Sequence, residues 1–346
     1  MILKLVLLGV GRWGHHLLRN LLNLPQVEVA AVADHDPQRL KTVQQTFALP
    51  PSTHLLSSWP EALALPGIEA VVVATPAVTH YPLIRAALER GLHVLAEKPL
   101  TLEVSTCKIL CQLARQRQRQ LIVDHTYLFH PAVQQGHQFL QQAPLGSLRY
   151  GYASRTNLGP IRHDVNALWD LAIHDIAIFS HWLQEWPMQV TAQGRTWLPQ
   201  FSSQDPAKPL YDLVWCTLIY PSQFQVTLHL SWLNPDKQRR LCVVGERGTL
   251  VFDESNATPL VVNWGQLQAT DAGNWIPQGL HHQVLPLSPA EPLHNVCRHF
   301  LDQVELSTPS PISSGTLATK LVRVLAALSQ SLAQGGQIIP LTEATE

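Results

Sequence analysis

Short, almost wholly apolar runs recur through the first 125 residues, and stretches with apolar positions three and four apart lie between them. The runs are Leu3 to Leu8, Val27 to Val32, Ala70 to Ala74 with Val71-Val72-Val73 at its centre, Leu92 to Ala96, and Leu121-Ile122-Val123. A run without polar alternation suits a strand buried on both faces. Between these runs Leu17, Leu18, Leu21 and Leu22 mark a helix over 13–23. Segments 37–47, 80–90 and 104–117 read as helices too, and Gly91 supplies a C-cap after 80–90. This alternation predicts an α/β domain with a doubly wound parallel sheet over residues 1–124.

Beyond residue 125 the strands lengthen and alternate. Val226, Leu228, Leu230 and Trp232 point one way, and Thr227, His229 and Ser231 the other, as in an antiparallel sheet with one packed face. Leu241 to Val244, then Gly245-Glu246-Arg247-Gly248, then Thr249 to Phe252 reads as a hairpin. The last third is Pro-rich and irregular, and closes with a helix over 316–334 carrying Leu317, Leu321, Val324, Leu325, Leu328 and Leu332. The expected second domain, 125–346, is therefore α+β with a mainly antiparallel sheet.

Composition narrows the partners. The chain has 346 residues, 46% of them hydrophobic, enough for two cores. Its 24 basic and 25 acidic side chains leave a net charge of -1. No basic field or polybasic segment is present, so neither nucleic acid nor a membrane surface is an expected partner. High hydrophobicity with little net charge also argues against disorder. Five cysteines, at 107, 111, 216, 242 and 297, form no Cys-x-x-Cys pair, so neither a disulfide framework nor a metal site is expected. The apolar start, Met1 to Leu8, lacks the basic residues and cleavage site of a signal peptide, and no apolar run reaches the ~18 residues of a membrane span. A soluble protein of the cytoplasm is expected.

The strongest local signal is Gly9-Val10-Gly11-Arg12-Trp13-Gly14, lying between the first strand and the first helix. The first glycine permits a tight turn, the second lets backbone approach a pyrophosphate, and the third lets helix pack on strand. Phosphate then sits at the helix N-terminus, where free N–H groups and the dipole favour negative charge. Asp34 ends the second strand twenty residues after Gly14, where a carboxylate accepts from a ribose diol and repels a 2′-phosphate. A Rossmann domain binding NAD is expected; nearby Arg39, a phosphate partner, leaves NADP open.

Ala74-Thr75-Pro76, His80, and Gly91 through Glu97-Lys98-Pro99-Leu100 come next. Here the sequence resembles the Gfo/Idh/MocA oxidoreductases, the glucose–fructose oxidoreductase and inositol dehydrogenase family, whose most characteristic feature is the Glu-Lys-Pro tripeptide after a strand. Asp170 to Asp175 resembles the family's Asp-x-x-x-His helix, and Gly245-x-x-Gly248-x-Leu250 its hairpin. Phe300, Pro311 and the helix from Gly315 to Leu332 resemble its C-terminal closure. The resemblance implies a nicotinamide-dependent enzyme whose second domain presents a large open sheet that builds a homodimer or homotetramer. It implies that Thr75, Pro76 and His80 lie along the cofactor with the glycine loop, Arg12, Trp13, Asp34 and Glu97. It also implies that Lys98 meets both nicotinamide ribose and substrate hydroxyl, and that Asp170 and His174 line the substrate side.

The residue chemistry agrees. Asp170 and His174 are four apart and share one face of a helix. Removing hydride from a carbinol needs a base for the hydroxyl proton, a task that suits histidine near neutrality. Lys98 would stabilise developing alkoxide charge. His174 is the expected base, Asp170 its partner or a substrate ligand, and Lys98 the electrostatic group. Two segments depart from the family pattern: Ala167-Leu168-Trp169 stands where many members have paired glycines, and Asp124 to Pro131 where an Arg-Phe pair is usual. His125, Tyr127 and Trp169 thereby become substrate-side candidates. Arg155 and Asn157, with Asp164 to Trp169, resemble nucleotide-sugar 3-dehydrogenases, and Arg155 would meet a carboxylate or phosphate as a fork. The expected substrate is a sugar, nucleotide sugar or polyol. Two alternatives stay open: a cofactor-binding metabolite sensor without turnover, and a reductase of a nonsugar substrate.

Overall fold

The computed structural model describes residues 2–162, 164–198, 210–271 and 273–341. The first part alternates β1 (Leu3–Leu8), α1 (Arg12–Leu22), β2 (Val27–Ala33), α2 (Pro37–Phe47), β3 (His54–Leu56) and α3 (Trp59–Leu63). It continues with β4 (Ala70–Val73), α4 (His80–Glu89), β5 (His93–Glu97), α5 (Val104–Gln116) and β6 (Leu121–Asp124). The six strands pair in parallel in the order β3-β2-β1-β4-β5-β6. That is the doubly wound order, with its switch point between β1 and β4. Leu5, Leu7, Val71, Val72, Val94 and Leu95 are wholly buried, which is why these strands carry no polar alternation. The expectation of a doubly wound parallel sheet is borne out.

Next come α6 (Pro131–Gln141), β7 (Leu148–Leu158), a π-helical turn (Leu168–Ala172) leading into α7 (Ile173–Leu183), and β8 (Gln189–Arg195). β9 (Leu213–Ile219), β10 (Gln225–Ser231), β11 (Leu233–Gly245), β12 (Gly248–Asp253), β13 (Leu260–Ala269) and β14 (Trp275–Val284) follow. The chain closes with α8 (Pro292–Leu306), α9 (Gly315–Ala333) and β15 (Ile339–Pro340). The second sheet has nine strands, ordered β14-β13-β12-β11-β7-β10-β9-β8-β15. All neighbours are antiparallel except β7 and β10. One face packs Val214, Cys216, Leu218, Val226, Leu228 and Leu230; the other leaves Tyr150, Tyr152 and Trp215 exposed. The mainly antiparallel open sheet is thus as expected, and β11–β12 is the expected hairpin. Ser231 departs from the alternation: it is buried, and its hydroxyl accepts from the Leu233 N–H.

Of the described residues, those within Met1–Phe129 and Ala290–Arg323 make one compact unit, and those within His130–Pro289 and Val324–Glu346 the other. A boundary at 124/125 leaves α8 in the second domain; its contacts place it in the first. The reason is its apolar stripe. Leu293, Val296, Cys297, Phe300 and Val304 recur at helical spacing and join the cluster formed by Leu17, Leu18 and Leu21 of α1 with Leu3 and Leu5 of β1. The last third is therefore more regular than its prolines suggest: Pro292 opens α8, at the first helical turn where proline loses no hydrogen bond.

Replacing wholly buried Phe300 removes a ring from that cluster and leaves a cavity. Phe300→Ala is expected to lower unfolding free energy by about 3–5 kcal/mol, read from the urea midpoint.

Candidate functional site

The glycine loop lies at the switch point of the parallel sheet. Gly9 has φ +91, and a Cβ there would stand 2.7 Å from the Ala74 carbonyl oxygen. A Cβ on Gly14 would stand 2.1 Å from the Gly9 carbonyl oxygen, so both glycines are required by packing. Gly11 differs. Its φ is -65, which any residue adopts, and a Cβ there would meet nothing within 4 Å. The fold does not need glycine at 11, and the bare backbone there leaves room for a ligand to approach. Gly11 is also the N-cap of α1, with no side-chain cap bond and no acidic residue in the first turn, so the helix end is left to accept an anion. Arg12 and Trp13 beside it are exposed, the guanidinium carbon 6.0 Å from the indole ring. These residues fit a dinucleotide pyrophosphate.

Asp34 closes the loop from β2. Its Oδ2 accepts the Val10 N–H at 2.9 Å, and its Oδ1 accepts the Asp36 N–H at 3.0 Å. Arg39 stands 3.8 Å from Oδ2. At the end of β4, Thr75 is half-buried and Pro76 exposed. His80 is buried, with Nδ1 2.9 Å from the Pro99 carbonyl oxygen and Nε2 2.9 Å from that of Thr75. The ring ties the loop after β4 to the loop after β5.

Glu97 ends β5 and Asp124 ends β6, paired in register. Both are buried, and half-buried Lys98 follows Glu97. Asp124 Oδ1 accepts the Thr126 hydroxyl at 2.6 Å. Burial pushes the Asp124 carboxyl up to about 6, against the opposing pulls of Thr126, Lys98 and Glu97. Burial, and then the charge of Lys98, push the His125 imidazole down to about 3. Neither His125 ring nitrogen has a hydrogen-bond partner among the described residues, and Tyr127 beyond it is half-buried.

In the second unit Asp170 sits in the π-helical turn and His174 in the first turn of α7. Residues four apart stay on one side through either pitch. Asp170 Oδ2 accepts the Trp232 indole N–H at 3.1 Å, and Oδ1 accepts from Arg162 at 3.4 Å. Arg162 also clamps Asp164, at 2.6 and 2.9 Å. Trp169 is half-buried and donates its indole N–H to Ser329 at 2.9 Å. Asn157 is engaged at both ends of its amide, donating to the Gly159 carbonyl at 2.6 Å and accepting from Arg239 at 2.7 Å. Arg155 is only 1% exposed, and its guanidinium donates to buried Asp175 at 2.6 and 2.9 Å. A fork enclosed in this way meets an internal carboxylate rather than one arriving from solvent. Arg162, Trp232 and Asp124 are the groups that sequence reasoning did not place in the site. Their partners lie eight, 62 and 27 residues away, and no local motif joins them. Among the described residues, no group of three His, Cys, Asp or Glu side chains is placed to hold a metal ion.

Comparison with known proteins sets this geometry in context. A family model described as the GFO/IDH/MocA oxidoreductase family, NAD-binding Rossmann fold, matches residues 3–125, and the family's C-terminal domain model matches 137–251. UDP-N-acetylglucosamine 3-dehydrogenase from Acidithiobacillus ferrooxidans is 30% identical over 193 residues, 54% of this chain and 56% of that protein. The scyllo-inositol 2-dehydrogenase (NAD(+)) of Bacillus subtilis is 27% identical over 202 residues, 56% and 57% of the two chains. The matched segments thus span about half the length of these curated relatives. A solved structure of the Acidithiobacillus enzyme superposes with a TM-score of 0.80 at 22% identity, covering 97% of this chain and 99% of that one, which shows a shared fold.

Two outcomes follow from the geometry. Gly11→Ala is expected to keep its melting temperature within about 2 °C while weakening NAD binding about tenfold or more, measured by calorimetry; equal affinity would remove the cradle from the cofactor site. The second concerns acid. Burial holds His125 down to about 3 and His93 and His181 down to about 4, so below pH about 6.5 the unfolded chain takes up protons that the native chain refuses. Stability should fall as pH drops from about 6.5 to about 4, with wholly buried His125 contributing up to about 1.4 kcal/mol per pH unit and the less buried histidines less. Asp124, raised to about 6, acts in the opposite sense between about 4 and 6. Denaturant titrations across this range should give a shallower slope for His125→Asn than for the parent chain.

Proposed function

The chain belongs to the GFO/IDH/MocA oxidoreductase family, and from that membership we propose that it transfers a hydride between NAD and a secondary carbinol of a sugar, nucleotide sugar or polyol. The two named relatives act on a UDP-sugar and on an inositol, which supports that range of substrates. Bound NAD would accept or supply the hydride. Gly9, Gly11, Gly14 and Asp34 would hold it, with Arg12 and Trp13 at the mouth of the loop and Thr75, Pro76, His80 and Glu97 along the strand ends. The carboxylate of Asp34 and its engagement with the loop favour NAD; Arg39 beside it is the group that would admit NADP.

The observation that carries the reading is Asp170, whose two oxygens are each met by a donor, one helical turn before His174. An acceptor already engaged on both oxygens orients its neighbour, so the hydroxyl proton falls to His174 as general base. Lys98 supplies the positive charge that stabilises alkoxide character on the reacting oxygen. Tyr127, His125 and Trp169 would shape the substrate side. Asn157 and Arg155 act at one remove, through Arg239 and Asp175, and not by direct contact with substrate.

The exposed Tyr150, Tyr152 and Trp215 on the uncovered sheet face support assembly as a homodimer or homotetramer. The five cysteines are unpaired, which suits a reducing compartment such as the cytoplasm. Among the described residues no helix is long and apolar enough to cross a membrane.

The decisive experiment follows absorbance at the reduced-nicotinamide band. Protein with NAD, or NADP, meets UDP- and dTDP-sugars, free aldoses and inositols in turn. A substrate-dependent rise is expected with NAD. His174→Ala should lower kcat about 100-fold or more with NAD affinity retained, and Lys98→Ala should lower kcat comparably. Unchanged turnover in both variants would sink the assigned roles, and silence across the panel with NAD still bound would move the reading to a sensor or a nonsugar substrate.

A further inference from the structure

We propose that Asp36 sets the cofactor preference of this chain: it occupies the Arg39 guanidinium and so withholds it from the 2′-phosphate that distinguishes NADP from NAD. The proposal rests on the NAD cradle described above and not on the identity of the substrate.

Asp36 lies between the end of β2 and the start of α2, with Pro37 at the first helical position. It is the N-cap of α2, and its Oδ1 accepts the Gln38 N–H at 2.9 Å. Its own N–H donates to Asp34 Oδ1 at 3.0 Å. These two bonds hold the backbone and the carboxyl of Asp36 in place, and its other oxygen, Oδ2, stands 3.4 Å from Arg39 Nε. The Arg39 backbone N–H donates to the Asp36 carbonyl at 3.1 Å, so a single turn of chain carries both partners. On its other side, Arg39 Nη1 stands 3.8 Å from Asp34 Oδ2.

A guanidinium can fork a phosphate along two edges. One is formed by Nε with a terminal nitrogen, the other by both terminal nitrogens. Asp36 stands against the first edge and Asp34 against the second. The two contacts are unequal. The Asp34 side chain is 3% exposed, and its Oδ2 already accepts the Val10 N–H at 2.9 Å. The Asp36 contact is the shorter one, and the Asp36 and Arg39 side chains are 39% and 50% exposed, within reach of an arriving ligand. An ion pair at such exposure is weak, so it tips a preference between two cofactors rather than closing the site to one. Asp36 is thus a positioning residue that acts through Arg39. Removing its charge while keeping its cap frees the Nε edge, and also takes one negative charge from beside a 2′-phosphate. Only the first effect needs Arg39.

Calorimetry on the full chain with NAD and with NADP tests this. Exposed His35 also faces this corner, its Nδ1 3.3 Å from Asp34 Oδ1, so the titrations are made at pH 8, where an imidazole is uncharged. Asp36→Asn keeps a good helix cap and loses the charge. Its ratio of NADP affinity to NAD affinity should rise about tenfold over the parent, because a freed fork makes a charge-assisted pair with phosphate. In an Arg39→Ala background the same substitution should move the ratio by less than about twofold. An unchanged ratio in Asp36→Asn overturns the proposal. So does a gain of equal size without Arg39, which leaves charge repulsion alone as the cause, and so does a parent chain that already prefers NADP. If Asp36→Asn fails to fold, Asp36→Ser, which caps through an uncharged hydroxyl, takes its place with the same expected ratios. A parent that binds neither dinucleotide fails the cofactor reading and this proposal with it; a parent that binds NAD, with a ratio that Asp36 does not move, fails this proposal alone.

Discussion

A Cβ on Gly14 would stand 2.1 Å from the carbonyl oxygen of Gly9, closer than any two such atoms approach. Helix α1 can therefore leave β1 and fold back on the sheet only with both positions bare. That approach fixes the direction of α1, and with it the direction of the unpaired N–H groups at its start. It also sets the platform on which α8 docks, since Leu17, Leu18 and Leu21 on α1 share a cluster with Leu293, Val296 and Phe300. The cradle at Gly11 and the core of the first unit thus rest on one contact between two peptide groups.

The second unit works under a different constraint. Its broad sheet has one packed face, and that face encloses the Arg155–Asp175 ion pair. A buried pair of this kind adds little net stability over apolar packing, but removing one partner leaves a buried charge, a loss of about 3–5 kcal/mol. Its effect is to hold β7 in place against α7, whose first turn carries His174. The Trp232 indole does similar work from the end of β10, reaching Asp170 in the π-helical turn. The groups assigned to the proposed chemistry are thus held by neighbours on other elements of the same unit.

How much of this was legible in the sequence depends on how local each cause is. The parallel sheet shows through because strands buried on both faces have no choice but to be apolar. The glycine loop shows because its demands fall within six consecutive residues. Helix α8 has an apolar stripe of its own, yet Pro286, Pro289 and Pro292 around its start made the region read as irregular. Strand β14 is exposed along its whole length, so burial imposed no alternation on it. The π-helical turn is invisible to a spacing argument, because Asp170 and His174 keep their common side through either pitch. Asp124 and Arg162 were missed for a plainer reason: their importance lies in partners brought close by strand pairing and chain reversal, which a linear reading does not contain.

His80 carries one more implication. Its two ring nitrogens lie against carbonyl oxygens from different loops, that of Thr75 after β4 and that of Pro99 after β5. One ring N–H can donate to one of these oxygens, and the ring stands between the two loops. The gap between the backbone beside the proposed cofactor and the backbone bearing Lys98 is thus spanned by one planar imidazole ring, a spacer of fixed width.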